Sequence, residues 1–154
     1  MKLEFRRARQ EDIPSLKEMI LDTITHTCKN DYSPQQINAW TSSLKSSFNW
    51  ERLSKQSAWV AMFQNNIVGL TTLKGSNYID FMYVHKDYQH QGIANLLLTK
   101  IIDEANTNGA ERLDSDISIT ARPFFEYKGF RVIKENKNEV GTVELINYRM
   151  ERKL

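Results

Sequence analysis

Val84-His85-Lys86-Asp87-Tyr88-Gln89-His90-Gln91-Gly92-Ile93-Ala94 lies where one hydrophobic period gives way to another. Before it, Tyr78 to Val84 is a run of aromatic and apolar residues suited to a central strand covered on both faces. After it, Ile93, Leu97, Ile101 and Ala105 recur at i, i+4 and i+8, joined by Leu96, Leu98 and Ile102. That row predicts a helix over Gly92 to Asn106, stopped by Gly109. Arg112 to Ile119 follows as a strand, although Asp114 and Asp116 are poor strand formers. Strand, helix and strand in this order predict a right-handed crossover joining two parallel strands. The junction carries small residues, Gly92 and Ala94, at a helix start, where unpaired N–H groups and the positive helix end favour a phosphate. An ordinary capped core helix with a structural glycine is the competing reading of the same residues. Neither a G-x-x-x-x-G-K-[ST] loop nor a G-x-G-x-x-G turn is present.

On the N-terminal side, Leu3 to Arg7 alternates as a half-buried strand. Asp12 and Pro14 open a helix whose apolar face is Ile13, Leu16, Ile20 and Ile24. A second helix is predicted from Pro34 to about Ser47, with Ile37, Trp40 and Leu44 on one face. Ala58 to Phe63 and Ile67 to Leu73 then read as a hairpin across Gln64-Asn65-Asn66. On the C-terminal side, Thr120 is read as the cap of a short helix ending at Gly129. Two strands follow, about Phe130 to Lys134 and Val140 to Met150, across an Asn-rich turn. The fold class is α+β, with a mixed, mostly antiparallel sheet flanked by helices.

The chain of 154 residues, 40% hydrophobic and 26% charged, has the length and composition of a single domain spanning 1–154. Twenty-one basic against nineteen acidic residues give +2, with no basic face to indicate nucleic acid. One cysteine, Cys28, and three scattered histidines offer neither a disulfide framework nor a metal-ligand spacing, so no metal is expected. The longest uncharged stretch, Gln56 to Leu73, is broken by Gln64-Asn65-Asn66 and Gly69, so no membrane span is expected. With no apolar signal core after Met1, a cytoplasmic location is the expectation.

Gln89-His90-Gln91-Gly92-Ile93-Ala94 matches the Q/R-x-x-G-x-G/A signature of the GNAT superfamily of acetyl-CoA-dependent N-acetyltransferases. Ala121-Arg122-Pro123-Phe124-Phe125-Glu126-Tyr127-Lys128-Gly129-Phe130 resembles that family's A-x-x-x-Y-E-K-x-G-F helix and turn, in wording similar to its YafP-like branch. The element order agrees along nearly the whole chain. The resemblance implies acetyl-CoA as donor and an amine as acceptor. It implies a pyrophosphate on the amides of Gln89, His90, Gln91, Gly92, Ile93 and Ala94, with Asn95 at the edge. It implies a pantetheine arm along Met82, Tyr83 and Val84, where the parallel strands splay, and an N–H near Met82 facing the thioester oxygen. For His90 and Gln91, side-chain contacts to the cofactor stand beside exposure as plain loop residues.

Acid and base are less determined. Transfer needs the acceptor amine neutral, and Asp80 is the candidate base, on the strand face shared by Tyr78, Met82 and Val84. A structural partner for a nearby cation is its alternative role, because a carboxylate inside an apolar strand needs pairing or a use. The family commonly protonates the CoA thiolate with a tyrosine where this chain has Phe125, which the resemblance places at the cofactor. Tyr127 is an imperfect substitute, and Ser118, where relatives carry Asn, could hold a water. Phe125 thus favours an alternative to the enzyme: an acyl-CoA-binding sensor with little catalysis. The resemblance implies an acceptor pocket in about Asp22 to Trp50, which offers His26, Asp31, Tyr32, Trp40, Phe48 and Trp50, with burial as core the competing role of the tryptophans. The C-terminal strands expose an edge that a second copy could cover, so monomer and homodimer both stand.

Overall fold

A computed structural model describes residues 1–154. Seven strands form one sheet in the order β1-β2-β3-β4-β5-β7-β6. They are β1 (Glu4–Arg7), β2 (Ser57–Phe63), β3 (Asn66–Lys74), β4 (Tyr78–Val84), β5 (Arg112–Ser118), β6 (Arg131–Val140) and β7 (Val143–Lys153). Every neighbouring pair is antiparallel except β4 and β5. Three helices, α1 (Ile13–Thr27), α2 (Pro34–Ser47) and α3 (Trp50–Ser54), belong to one side. There Leu16, Ile20 and Ile24 pack with Phe48, Leu53, Leu70 and Phe81. The other side is closed by α4 (Ile93–Thr107) and α5 (Arg122–Tyr127). Its core joins Leu98, Ile101 and Phe125 to Leu73, Ile79 and Ile117, while Ile93 and Leu97 meet Ala61, Val68 and Val84.

Local chemistry explains the punctuation. Ser33 caps α2 by accepting from the Gln36 N–H at 3.1 Å, and the Gln36 side chain accepts from the Ser33 N–H at 2.8 Å. The two strands of the first hairpin are joined by Gln64 and Asn65 alone, both at positive φ (48° and 65°), as a two-residue turn matched to strand twist demands. Gly69 is required by packing: a Cβ there would lie 2.9 Å from Leu97 Cδ1, so its absence lets α4 seat directly on β3.

The sheet is interrupted where it matters most. The parallel ladder of β4 and β5 holds only at Tyr78–Asp114 and Ile79–Ser115, after which the strands separate. On the opposite edge of β4 the register to β3 steps from Leu73–Ile79 to Thr72–Phe81, so Asp80 is the extra residue of a β-bulge.

Three expectations need correction. The Asn-rich segment is not a turn: Asn136 and Asn138 lie inside β6, opposite Asn147 and Leu145, and the chain reverses at Gly141, at φ 63°. Thr120 does not cap α5; its hydroxyl donates to Asp31 at 2.7 Å, while Ser118 Oγ accepts from the Ala121 N–H at 3.1 Å. The edge left open at the C-terminal side is β6 alone, since β7 is enclosed between β5 and β6.

Candidate functional site

A cleft of about 1020 Å³ opens where β4 and β5 part and runs from the start of α4 to the wall formed by α1, α2 and the β6–β7 hairpin. Strand alternation dictates what faces it. The His85 N–H bonds to the Val68 carbonyl at 2.8 Å, so Tyr83, two residues earlier, also points its peptide groups at β3. Met82 and Val84 therefore aim theirs into the gap. The Phe81 N–H is taken by Thr72 Oγ1 at 3.0 Å because of the bulge, which leaves Met82 as the first amide available to the cleft. Val84 O is not idle: Gln89 Nε2 donates to it at 2.6 Å and Thr23 Oγ1 at 3.3 Å. The Gln89 side chain thus turns inward and braces the loop, and only its backbone is left for a ligand.

The loop from His85 winds through Lys86–Tyr88 and enters α4 across two left-handed residues, His90 at φ 60° and Gly92 at φ 82°. No side chain caps the first turn of α4, so its N–H groups are presented at the cleft mouth. Gly92, Ile93, Ala94 and Asn95 line the cleft there, with His90 beside them; Gln91 is exposed and does not. The Ile93 side chain itself is sunk in the core at 1% exposure, so it is its backbone that borders the cavity. Phe125 also lies along the cleft but is buried, in edge-to-face contact with Phe124 and Phe130. Tyr127 is 84% exposed and belongs to the outer rim, where the Lys128 ammonium lies over its ring. Ser118 lines the cleft at the end of β5; its oxygen accepts from Ala121, which leaves its O–H free to donate.

At the far end stand two carboxylates. Asp80 is held edge-on by Arg52 from α3, with Nε to Oδ2 at 3.1 Å and Nη2 to Oδ1 at 3.0 Å, and Gln56 Nε2 adds a third donor at 2.6 Å. The same guanidinium lies 4.5 Å over the Phe81 ring, so Asp80 and Phe81 project to one side. This corrects the expected parity: the bulge puts Asp80 with Phe81 on the α1–α3 side, whereas Met82 and Val84 pack toward α4. Asp116 on β5 takes Tyr78 Oη at 2.6 Å, Arg149 Nε and Nη2 at 2.9 Å each, and Asn136 Nδ2 at 2.8 Å. Burial by itself would raise the Asp116 carboxyl, but hydrogen bonds from Arg149 and Tyr78 outweigh it and hold the group below the usual range. Tyr78 is pushed upward, first by burial and then by the Asp116 charge that its proton serves.

The cleft wall is closed by Tyr32, which donates to the Ile146 carbonyl at 2.6 Å, accepts from the Ile119 N–H at 3.0 Å and meets Trp40 edge-to-face. Burial pushes its phenol up to about 12. Of the residues expected to shape the acceptor pocket, Tyr32 and Trp40 do line the cleft. Phe48 is core at 1% exposure, Trp50 packs against that core, His26 bonds back to its own helix, and Asp31 holds Thr120. Arg52, Gln56 and the strand residues Asn138, Leu145, Ile146 and Asn147 were not anticipated. For Arg52 a signal existed: a carboxylate within an apolar strand calls for a cation, and Arg52 is the one arginine between Arg9 and Arg112.

The profile of the Acetyltransferase (GNAT) domain family matches residues 28–152. An uncharacterized N-acetyltransferase, YafP of Escherichia coli (strain K12), is 32% identical over 151 residues, covering 98% of this chain and 96% of that protein. The crystal structure of a GCN5-related N-acetyltransferase from Rhodopseudomonas palustris, also described as a class-II aminotransferase, superposes with a TM-score of 0.94 at 29% identity. It covers 100% of this chain and 97% of that one. The PaiA N-acetyltransferase of Thermoplasma acidophilum, solved in complex with coenzyme A, shares the fold at a TM-score of 0.79 and 19% identity, with both chains fully covered. A splayed parallel pair, a bulged central strand and an uncapped helix start thus coincide with a family match over most of the sequence: this chain belongs to the GNAT acetyltransferase family.

Proposed function

We propose that the protein transfers the acetyl group of acetyl-CoA to a primary amine by direct attack with both substrates bound. The observation that carries this is the gap between β4 and β5, into which the Met82 and Val84 peptide groups point in line with the bare start of α4. That arrangement fits an extended arm with amide groups ending in a phosphate. The Met82 and Val84 backbone would hold the arm, and the amides of Gly92, Ile93, Ala94 and Asn95 the pyrophosphate. Acetyl-CoA supplies an activated acyl group as its thioester.

The chain's own groups do the rest. The Met82 N–H, unused by the sheet, donates to the thioester oxygen as negative charge develops there. Asp80 receives the acceptor ammonium on the one side of Oδ1 that Arg52 leaves open, and takes its proton as the nitrogen attacks. The Ser118 hydroxyl orders the water that returns a proton to the thiolate; Tyr127 is too exposed for that task. A sensor that binds acyl-CoA without turnover is the second reading, favoured by Phe125, whose ring carries no proton and is locked into the core. Calorimetric titration with acetyl-CoA and a thiol-release assay over amines separate the two. Binding with turnover supports the enzyme, binding without turnover supports the sensor, and no binding at millimolar acetyl-CoA overturns both.

A further inference from the structure

The guanidinium of Arg52 has three of its faces committed and one open. Nε and Nη2 hold Asp80, the flat face rests on Phe81, and Nη1 bonds no group of the protein. The side chain borders the cleft and is 37% exposed. An arginine already immobilised this way loses little further freedom on binding, and its outward N–H pair has the geometry for a carboxylate oxygen. A second free donor, Asn147, lines the same cleft. Asn147 Oδ1 accepts from both Asn136 Nδ2 at 2.9 Å and Asn138 Nδ2 at 3.1 Å, which fixes the orientation of its amide and leaves its NH₂ without a protein partner.

Charge points the same way. Asp80 is matched by Arg52, and Asp116 by Arg149 at two 2.9 Å bonds, so neither cleft carboxylate is left over for a second or third cation. A polyamine or aminoglycoside would bring its extra ammonium groups against Arg52 with nothing to balance them. Asp80 still has an open position on Oδ1, enough for a single ammonium.

We infer that the acceptor carries one amine with a carboxylate close to it, as a free amino acid does, the ammonium docking on Asp80 and the carboxylate on Arg52 with Asn147 as the second donor. This rests on the acetyl-transfer reading above. Arg52 is then a specificity-determining residue and not only the counter-ion of Asp80.

The test compares free amino acids with their amides in the thiol-release assay, with spermidine as the polycation. The best amino acid should exceed its amide by about tenfold or more in kcat/KM, the scale of a hydrogen bond to a charged group. Arg52→Gln should shrink that ratio to about threefold or less, and Arg52→Lys should restore part of it, because the charge returns without the fork. If Arg52→Gln does not fold, calorimetry on the wild-type complex with CoA decides: an N-acetyl amino acid should bind about tenfold more tightly than its amide. Amides or spermidine used as well as every amino acid, with the acetylated acids binding no better than their amides, would overturn the inference and leave acetyl transfer standing. Failure to bind CoA would instead remove the acetyl-transfer reading on which it rests.

Discussion

At the His85–Asn95 end of the cleft, the groups that face the cavity are main-chain N–H groups, set by one strand, one loop and one helix contiguous in sequence. At the Asp80 end they are side chains brought from α3, β4, β5, β6 and β7. The first is a surface that many sequences could present, provided the backbone takes the same path. The second is a set of mutual commitments, in which Arg52 exists for Asp80, and Asp116 for Arg149 and Tyr78. A shared donor with a private acceptor would require that division, and each end can be perturbed without the other.

Asp80→Asn is the sharpest way to divide them. It should lower kcat/KM by about a hundredfold, a typical loss for a general base, while affinity for CoA, measured by calorimetry, stays within about twofold. An equal loss in both quantities would mean that the ends are not separable. Gly92→Val attacks the other end. At φ 82° a β-branched residue is strained by about 1–2 kcal/mol, so CoA affinity should fall on the order of tenfold with acceptor KM little changed.

Part of the pH dependence of stability lies at the Asp80 end, beside the shares of Asp12 and Glu151, whose carboxyls are also held below their ordinary values. The native Asp116 carboxyl lies below its unfolded value, so its stabilisation is complete above the unfolded value of about 3.9 and drains as pH falls through the native one. Asp116→Asn should remove that component, on the order of 1 kcal/mol for a partly solvated charge-assisted pair. Urea midpoints at pH 6 and pH 3 then differ less in the variant than in the wild type; an equal difference would assign the acid sensitivity elsewhere. The smallest effect is expected from Gln91→Ala, an exposed loop position off the cleft, with CoA affinity altered less than twofold. A larger loss would show that side chains also read the cofactor.

The same division explains what could be read from the residues alone. The helix over Ile93–Thr107, the strand before it and the glycine between them were legible because their signals are local: a 3.6-residue row, an apolar run, a small residue at a helix start. The Asp80 end was not. Strict alternation placed Asp80 beside Met82 and Val84, and a bulge, which leaves no mark in the residue types, moved it to the other face. Arg52 lies in a five-residue helix, too short to show a period. Asn136 and Asn138 have the composition of a turn, but Gly141 supplies the reversal and their amides instead build a ladder to Asn147 and Asp116. Pairing with another element, from the neighbouring strand of a hairpin to a helix 28 residues away, decides each of these cases.

The short parallel ladder between β4 and β5 has a consequence beyond catalysis. Two residue pairs are the whole of the strand ladder between the β1–β4 part of the sheet and the β5–β7–β6 part, reinforced by a few side-chain bonds such as Tyr78 to Asp116. A molecule that spans the gap with backbone-like hydrogen bonds completes the sheet, and it can do so only on the folded chain. Mass action then makes the folded population depend on ligand supply: at a hundred times the dissociation constant the gain is about 2.7 kcal/mol, a large part of the 5–15 kcal/mol that holds a typical domain together. Resistance to heat or proteolysis should therefore follow the concentration of whatever fills the gap, so that the abundance of this protein becomes a readout of its donor.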